Sequence, residues 1–314
     1  MQELTKTYGV AGVYIDQLAA AAPAPDWTRA HNHTLGGGYY WTEGIDAMLA
    51  RTRSLIGYKS VLLTESNAEP YMDNIAVYLT LVAFASPFAG AGPRMAAAFP
   101  TVYGGYYVGA GSIYNRDDFL NTDVLCARMA LSLVYGIQIG WFSLGGVTHG
   151  PDYDYGCGPM GTYEQWIDPK YANEVAYLQN LARMRGVLSS YVTHGRLARP
   201  PTLSPEPPFF SADASSQIYN KGPFPVLAAA AWRSDASNTV VFIFAGPTRN
   251  AFNTTIDVDM KDYEFIDART QSFNLQQVHE NGQRTNISTF HGGRLTYPMT
   301  VDSRSVLVYE VGLL

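Results

Sequence analysis

The sequence predicts an α/β region built on a parallel β-sheet, followed by an all-β sandwich. Three observations predict this order: short apolar strands alternate with helices over residues 1–195, residues 200–208 are dense in proline, and the remaining chain is β-rich with frequent turn signals. We therefore place one domain at residues 1–195 and a second at 196–314, with 196–225 as a proline-rich connection.

The α/β region begins with a strand at VAGVYI (residues 10–15), a loop rich in Pro, His and Gly, and a helix at YWTEGIDAMLARTRSLI. Thr42 is the expected N-cap of this helix, and Gly57 is expected to end it. Further strands are predicted in KSVLLTES, AVYLTLVAF, MAAAFPTVYGG and IQIGWFSLGG, and further helices in DDFLNTDVLCARMALSLVYG and PKYANEVAYLQNLARMRGVLSSYV. Strands and helices that alternate in this way form βαβ units, and hence a parallel sheet.

The second domain contains short β-rich segments separated by Ser-Asp, Asn-Gly and Gly-Gly turns. Its predicted strands are FPVLAAAAWRS, NTVVFIFAG, NTTIDVDM, GRLTYPMTV and SRSVLVYEVG. Their spacing predicts a β-sandwich, and their sequences show no clear ligand site.

Composition excludes several classes of function. A formal net charge of -6 leaves no basic field for nucleic acid, and no apolar run is long enough for a membrane span. The N-terminus lacks a signal-peptide pattern, so the compartment stays open. Cys126 and Cys157 lie far apart and form no CxxC motif; we expect two unrelated core thiols, with one disulfide as the alternative.

Two acids follow consecutive predicted strands. Asp16 follows the first strand and Glu65 ends the second, in VLLTESNAEPY. Ligands of parallel α/β sheets bind beyond the carboxyl ends of the strands, and neighbouring strands lie about 4.8 Å apart. The two carboxylates can therefore approach the separation of about 5–5.5 Å that retaining glycosidases use. An N-cap or a loop hydrogen bond is the alternative role for either acid.

Aromatic and polar residues on or just after the predicted strand ends are typical of a sugar site. Aromatic rings stack on sugar faces, while amides and imidazoles bond hydroxyl groups. These residues are Tyr14, Gln17, Asn67, Tyr71, Tyr103, Tyr106, Tyr107, Trp141 and His149. Core packing is the alternative for any one of the 22 tyrosines.

The loop HNHTLGGG allows three interpretations. His31 and His33 with a nearby carboxylate are compatible with a metal site, structural hydrogen bonds are a second reading, and substrate binding by His33 is a third. No further histidine is close in sequence, so we predict substrate binding by His33, no metal and no cofactor. The chain also lacks GxGxxG, GxxxxGK[ST] and GxSxG motifs.

At GVYIDQLAAAAP, HNHTLGGGYYW, LTESNAEPYMD, FPTVYGG and GIQIGWF the sequence resembles a family of bacterial glycoside hydrolases, a domain-of-unknown-function group. That family looks like a TIM barrel followed by a C-terminal β-sandwich, and the resemblance covers the chain up to about Tyr191 and more loosely beyond it. More distantly, the chain is similar to α-amylase-like and endo-α-N-acetylgalactosaminidase barrels. There the fourth strand bears the nucleophile and the fifth the acid/base.

By this resemblance Asp16 is the nucleophile and Glu65 the acid/base, and the predicted strands are about the fourth to the eighth of a (β/α)8 barrel. The α-amylase pattern has arginine two residues before the nucleophile, where this chain has Tyr14. Asp152 and Asp154 are candidates for a third acid. Because five strands do not close a barrel, we expect a missing N-terminal half or a partner chain to complete it.

The sequence therefore predicts a glycosidase that cleaves O-glycosidic bonds of a carbohydrate by a retaining two-carboxylate mechanism. A non-catalytic carbohydrate-binding protein, or a truncated and inactive barrel, is the alternative. A metal-dependent hydrolase that uses His31 and His33 is a third hypothesis.

Overall fold

The structure of the protein is a computed structural model. It describes residues 2–18, 23–79, 98–111, 122–139, 167–211, 223–265 and 267–314. These fall into two units: one contains Met1–Leu81 and Tyr106–Ala110, and the other contains Val82–Gly105 and Gly111–Leu314.

The first unit contains a four-stranded sheet with the spatial order β1-β2-β3-β4. Its strands are β1 (Gly12–Ile15), β2 (Val61–Glu65), β3 (Val77–Leu79) and β4 (Val108–Ala110). All neighbouring pairs run parallel, as predicted, but β4 lies outside the segment in which the fourth strand was predicted. The carboxyl ends of the four strands therefore share one edge of the sheet.

Side chains alternate between the two faces of this sheet. One face is completely buried at three positions: Leu62, Thr64 and Tyr78, which pairs with Thr64 in the neighbouring strand. The other face is open among the described residues, and Tyr14 is 43% exposed there. Polar groups belong on this open face, because a charged group on the buried face would lose its hydration.

Two α-helices and one 3₁₀ helix complete the first unit: α1 (Gln2–Lys6), α2 (Tyr40–Ile56) and Glu69–Tyr71. In α2 the buried residues are Leu49, Thr52, Arg53 and Ile56, the spacing of a single helical stripe. The Arg53 guanidinium donates to the carbonyls of Ser60 and Asn74 and so holds the end of α2 to the segments before β2 and β3.

The predicted end of α2 is confirmed, and its predicted start is wrong. Gly57 adopts φ 76° and its N–H bonds the Arg53 carbonyl at 2.8 Å. The helix begins at Tyr40, and Tyr39 takes the N-cap position without a side-chain bond. Thr42 is the third residue of the helix, so it cannot act as its N-cap.

The second unit contains four α-helices, three 3₁₀ helices (Pro169–Tyr171, Met260–Tyr263 and Ala268–Thr270) and eleven strands within the described residues. The α-helices are α3 (Ala98–Tyr103), α4 (Thr122–Val134), α5 (Ala172–Val187) and α6 (Ser189–Val192). The strands are β5 (Arg196–Ala198), β6 (Thr202–Ser204), β7 (Phe209–Phe210), β8 (Phe224–Pro225), β9 (Ala228–Ser234), β10 (Thr239–Gly246), β11 (Phe252–Asp259), β12 (Ser272–Val278), β13 (Arg284–His291), β14 (Arg294–Val301) and β15 (Ser305–Leu313).

Two antiparallel sheets in this unit share one hydrophobic core. The larger has the order β13-β12-β15-β10-β9-β5 and the smaller β14-β11-β6, while β7 and β8 form a separate ribbon. Phe242, Phe244 and Val311 from the larger sheet meet Ile256 and Leu295 from the smaller one in this core. Burial of such side chains supplies the main driving force for the pairing of the two sheets.

Helices α4 and α5 pack against each other and against the larger sheet. The indole of Trp232, on β9, is 2% exposed and donates a 2.9 Å hydrogen bond to the Val134 carbonyl at the end of α4. Gly136 follows with φ 72°, and a Cβ there would lie 2.8 Å from the Trp232 ring. Only glycine fits this turn without a shift of its neighbours.

Arg304, in the turn between β14 and β15, carries a buried ionic network. Its side chain is 5% exposed and lies 3.0 Å from Glu174, which is equally buried, and 2.7 Å from Asp123. The same guanidinium donates to the carbonyls of Pro247 and Thr122 at 3.1 and 3.3 Å. One side chain thus connects the β14–β15 turn to α4 and α5.

Several sequence predictions need correction in this unit. The strand predicted in MAAAFPTVYGG is instead α3, because Pro100 lies in the first turn, where no N–H is needed, and the rings of Phe99 and Tyr103 contact one turn apart at 4.8 Å. The predicted fifth strand, IQIGWFSLGG, lies largely outside the described residues. The predicted sandwich strands are confirmed as β9, β10, β11, β14 and β15, whereas β12 and β13 were not predicted.

Among the helices that the structure describes, none combines the length and the apolar character that crossing a membrane requires. Cys126, on α4, is a buried free thiol, as expected, and burial raises its pKa to about 12. Cys157 lies outside the described residues.

Candidate active site

The register of β1 and β2 places two acids side by side. Ile15 pairs with Thr64, so the next position in each strand brings Asp16 beside Glu65 at the carboxyl edge of the parallel sheet. Asp16 is exposed and Glu65 half-buried. Both lie on the open face of the sheet, because they are in phase with Tyr14 and Leu63 rather than with buried Leu62 and Thr64.

Asp16 also affects the protonation of Glu65. Burial is the largest cause that raises the pKa of Glu65, and the charge of Asp16 and hydrogen bonding with it act in the same direction, while the Gln17 backbone N–H opposes them. A raised pKa favours the protonated form of Glu65, which is the form that a general acid requires.

Tyr14 orients Asp16. Its hydroxyl donates a 3.1 Å hydrogen bond to Asp16 Oδ1. Burial, this bond and the charges of Glu65 and Asp16 all raise the pKa of Tyr14, so the phenol remains a donor over the working range of most enzymes. The residue stands where the α-amylase pattern has arginine, and it supplies a neutral hydrogen bond in place of a positive charge.

The chain turns sharply after each acid. Gln17 has φ 54° and Ser66 has φ 64°, the left-handed conformation that non-glycine residues seldom adopt. The Ser66 N–H bonds the Leu79 carbonyl at 2.9 Å, so the turn after β2 is fixed to the end of β3. These turns end the strands directly at the two acids and leave the carboxyl groups at the edge of the sheet.

The other predicted substrate-binding residues differ in burial and in the unit to which they belong. The Gln17 backbone N–H acts to lower the pKa of Glu65, and Asn67 is exposed two residues after Glu65. Tyr71 is 6% exposed, which gives it a packing role in the first unit. Tyr103 lies in α3 of the second unit.

Trp141 and His149 lie outside the described residues, as do Asp152 and Asp154. His33 lies in the loop between β1 and α2, where its ring stacks on Tyr40 at 4.2 Å and contacts Asp26. Asp26 was not predicted as the carboxylate partner of His31 and His33. It precedes His31 by five residues, so the pattern Asp-x4-His-x-His could have indicated it.

The second unit contains a different concave feature, a largely apolar cavity of about 450 Å³. Prolines of the connecting segment and aliphatic side chains of α4 and β9 line it, and Glu206 is the carboxylate among its lining residues. It lacks the paired acids that the edge of the parallel sheet provides.

Comparison with known families and relatives gives the following matches. Residues 1–114 match the family described as Domain of unknown function (DUF6259). A Monosiga brevicollis protein named "Putative glycoside hydrolase 22789" is 42% identical over 309 residues, which is 98% of this chain and 26% of the relative. A Bacteroides thetaiotaomicron protein named "Putative glycoside hydrolase" is 30% identical over 132 residues, 41% of this chain and 19% of the relative. The chain thus spans only about a quarter of the length of the first of these curated relatives.

Among solved structures, α-galactosidase I from Mortierella vinacea superposes with a TM-score of 0.49 at 8% identity, covering 99% of this chain and 70% of that chain. The maltogenic α-amylase AmyB from Thermotoga neapolitana gives a TM-score of 0.48 at 11% identity, covering 100% and 64%. At these scores the superpositions assign no role to any residue of this chain.

Proposed function

We propose that this chain carries the catalytic carboxylates of a retaining glycoside hydrolase. The observation that carries the proposal is the parallel register of β1 and β2, which places Asp16 beside Glu65 at the carboxyl edge of the sheet. The printed names of the Monosiga brevicollis and Bacteroides thetaiotaomicron relatives support the same class of enzyme.

The closeness of the two acids favours retention over inversion. Inverting glycosidases separate their carboxyl groups by about 6.5–9.5 Å to admit a water molecule, whereas retaining enzymes need about 5–5.5 Å. Asp16 and Glu65 directly follow the paired residues Ile15 and Thr64, and neighbouring strands lie about 4.8 Å apart, which is below the inverting range.

The proposed reaction has two steps. Asp16 attacks the anomeric carbon as the bond to the leaving oxygen breaks, and Glu65 transfers its proton to that oxygen. Glu65, now ionised, then takes a proton from water as the water attacks the anomeric carbon and releases Asp16. The raised pKa of Glu65 suits the first step, because it keeps a proton available to the leaving group.

We also propose that the parallel sheet of the first unit forms part of a (β/α)8 barrel and that the two sheets of the second unit form a β-sandwich. Support for the barrel comes from the parallel order β1-β2-β3-β4 and from the position of both acids at the carboxyl ends of the strands, where barrel enzymes place their active sites. Support for the sandwich comes from the core shared by the two antiparallel sheets.

The test is hydrolysis of a panel of aryl α- and β-glycosides by the full chain and its Asp16→Asn, Glu65→Gln, Asp73→Asn and Glu69→Gln variants. The last two change exposed acids of the same unit and serve as matched controls. We expect turnover to fall at least about 10³-fold in the first two variants and to stay within about twofold in the controls.

Covalent trapping separates the roles of the two acids. An activated fluoroglycoside should label the peptide that contains Asp16, and azide should rescue Asp16→Ala by forming a glycosyl azide. Undiminished turnover in Asp16→Asn, or a label on another residue, contradicts the assignment. Oligosaccharide binding without turnover, unchanged in Glu65→Gln, would instead support a non-catalytic carbohydrate-binding protein.

A further inference from the structure

The loop between β1 and α2 gathers one carboxylate and two imidazoles. Asp26 Oδ2 lies 2.6 Å from His31 Nδ1 and 3.3 Å from His33 Nε2, and the three potential ligand atoms all fall within 4.8 Å of one another. We propose that Asp26, His31 and His33 bind a divalent transition-metal ion, with Zn²⁺ as the best match. This site is independent of the proposed glycosidase chemistry.

The bonding of His33 shows why a cation is needed there. His33 Nδ1 lies 2.9 Å from the Thr34 carbonyl, which can only accept, so Nδ1 carries the proton. Its other nitrogen, Nε2, then faces the Asp26 carboxylate with a lone pair. Two acceptors 3.3 Å apart repel each other unless a proton or a metal ion lies between them.

Thr28 fixes one oxygen of the Asp26 carboxylate. Its backbone N–H donates to Asp26 Oδ1 at 2.8 Å. The other oxygen, Oδ2, is directed at both imidazoles. The Thr34 carbonyl accepts a hydrogen bond from the ring nitrogen of His33 that does not face Asp26. Many zinc-bound histidines have an acceptor at this position, and it orients the ring.

The spacing becomes compatible with a tetrahedral ion after a small movement of His31. Zinc bonds of about 2.0–2.1 Å imply ligand-to-ligand edges of about 3.3 Å in a tetrahedron. The edge between Asp26 and His33 already has this length, and the shorter edge between Asp26 and His31 would lengthen by about 0.7 Å. His31 is 57% exposed, so its ring can make that small movement without disturbing packed neighbours.

The loop that holds the three residues is well supported. The Gly36 N–H donates to the Asp26 carbonyl at 2.6 Å, and the Trp27 ring packs over Gly36 so closely that a Cβ there would lie 2.5 Å from it. The Tyr40 hydroxyl donates to the Ala24 carbonyl, and its ring stacks on His33. These contacts position the ligands before an ion arrives, which lowers the entropic cost of binding.

The ligand chemistry selects the kind of ion. Two imidazoles and one carboxylate suit zinc, cobalt, nickel or ferrous iron, whereas calcium and magnesium prefer oxygen ligands. Three protein ligands leave a fourth position for water. An ion here would join residues 26 and 33 and so clamp the loop that follows the strand of Asp16.

The experiment titrates Zn²⁺ into the chelator-treated full chain by calorimetry and records Co²⁺ absorption in the visible range as a report on ligand geometry. The variants are Asp26→Asn, His31→Asn and His33→Asn, and His194→Asn and His279→Asn serve as controls for general histidine binding. We expect one equivalent of Zn²⁺, affinity at least about 10-fold weaker in each of the three variants, and unchanged affinity in both controls.

Circular dichroism of each variant checks that the fold survives, and His31→Asn is the most tolerant change because the side chain is largely exposed. Equal affinity in parent, His31→Asn and His33→Asn, or no binding by the parent at micromolar zinc, would overturn the proposal. Loss of glycosidase activity has no bearing on this outcome, since binding is measured directly.

Discussion

Tyr14 and Asp16 lie two residues apart at the end of β1, and the Tyr14 hydroxyl donates a 3.1 Å hydrogen bond to Asp16 Oδ1. This bond restrains the carboxylate that we propose as the nucleophile. A hydrogen bond to an ionised group contributes about 1.5–3 kcal/mol, so its loss has a measurable kinetic effect.

Tyr14→Phe should therefore lower kcat by about 10- to 100-fold, because Asp16 loses its orienting donor. Initial-rate kinetics on the best aryl glycoside measures the change. Tyr8→Phe, another exposed tyrosine of the same unit, is the matched control and should leave kcat within about twofold. Equal kcat in Tyr14→Phe and the parent would show that the bond has no catalytic role.

Glu65→Gln should raise stability in a pH-dependent way. Folding raises the pKa of Glu65 above its ordinary value of 4.5, so the stability associated with its protonated form is complete below that value. This stability is lost as the pH rises through the higher folded pKa. The neutral glutamine avoids that loss, and the difference in Tm between variant and parent should grow toward neutral pH.

We expect this difference to be near zero at about pH 4 and about 1–3 °C at about pH 8, since solvent screens a half-buried carboxyl group. Thermal denaturation at several pH values measures it. Glu69→Gln, an exposed acid four residues later, serves as control. A constant difference at all pH values would argue against the raised pKa.

Arg304→Met should destabilise the second unit strongly. The change leaves Glu174 buried without its 3.0 Å partner, and removing one member of a buried ion pair costs about 3–5 kcal/mol. The double variant Arg304→Met/Glu174→Leu should recover part of this free energy of unfolding. Arg199→Met, at an ion pair whose arginine is 69% exposed, should change it by less than about 1 kcal/mol.

Denaturant unfolding followed by tryptophan fluorescence measures these free energies, because Trp232 lies in the core of the same unit. If the single and the double variant lose equal stability, the pairing of Arg304 with Glu174 does not explain the loss.

Two glycines of the second unit should respond in opposite directions to alanine. At Gly136, φ is 72° and a Cβ would lie 2.8 Å from both the Trp232 ring and the Val192 carbonyl, so Gly136→Ala should cost about 2–4 kcal/mol. At Gly186, inside α5, a Cβ meets nothing within 4 Å, so Gly186→Ala should stabilise by about 0.5–1 kcal/mol. The two Tm shifts, measured side by side, should have opposite signs.

The sequence predicted the position of a residue correctly where its local pattern also determines its place in the fold. Asp16 and Glu65 were predicted because each ends an apolar segment, and the parallel pairing then brings strand ends to one edge. The strand predicted through Tyr103 failed because an alanine-rich, aromatic segment reads equally well as a strand or a short helix. Strand β13 was not predicted because it is an edge strand with exposed Thr and Asn side chains, and such a strand lacks hydrophobic alternation.

The site in the β1–α2 loop depended on information that a sequence does not contain. The spacing of Asp26, His31 and His33 allows many loop conformations, and only the fold of residues 26–36 brings the ligand atoms together. The roles proposed for Gln17, Asn67 and Tyr71 stay predictions. The proposed domain boundary at residue 195 has the same standing.

The alternation of side chains across β1, β2 and β3 has a consequence for the engineering of the proposed activity. Leu62, Thr64 and Tyr78 never face the open side of the sheet, yet their packing fixes how far each strand is shifted along its neighbour. The alignment of Asp16 with Glu65 therefore depends on buried side chains that cannot touch a substrate. Random mutagenesis screened for activity should find its most damaging substitutions at these buried positions as often as beside the two acids.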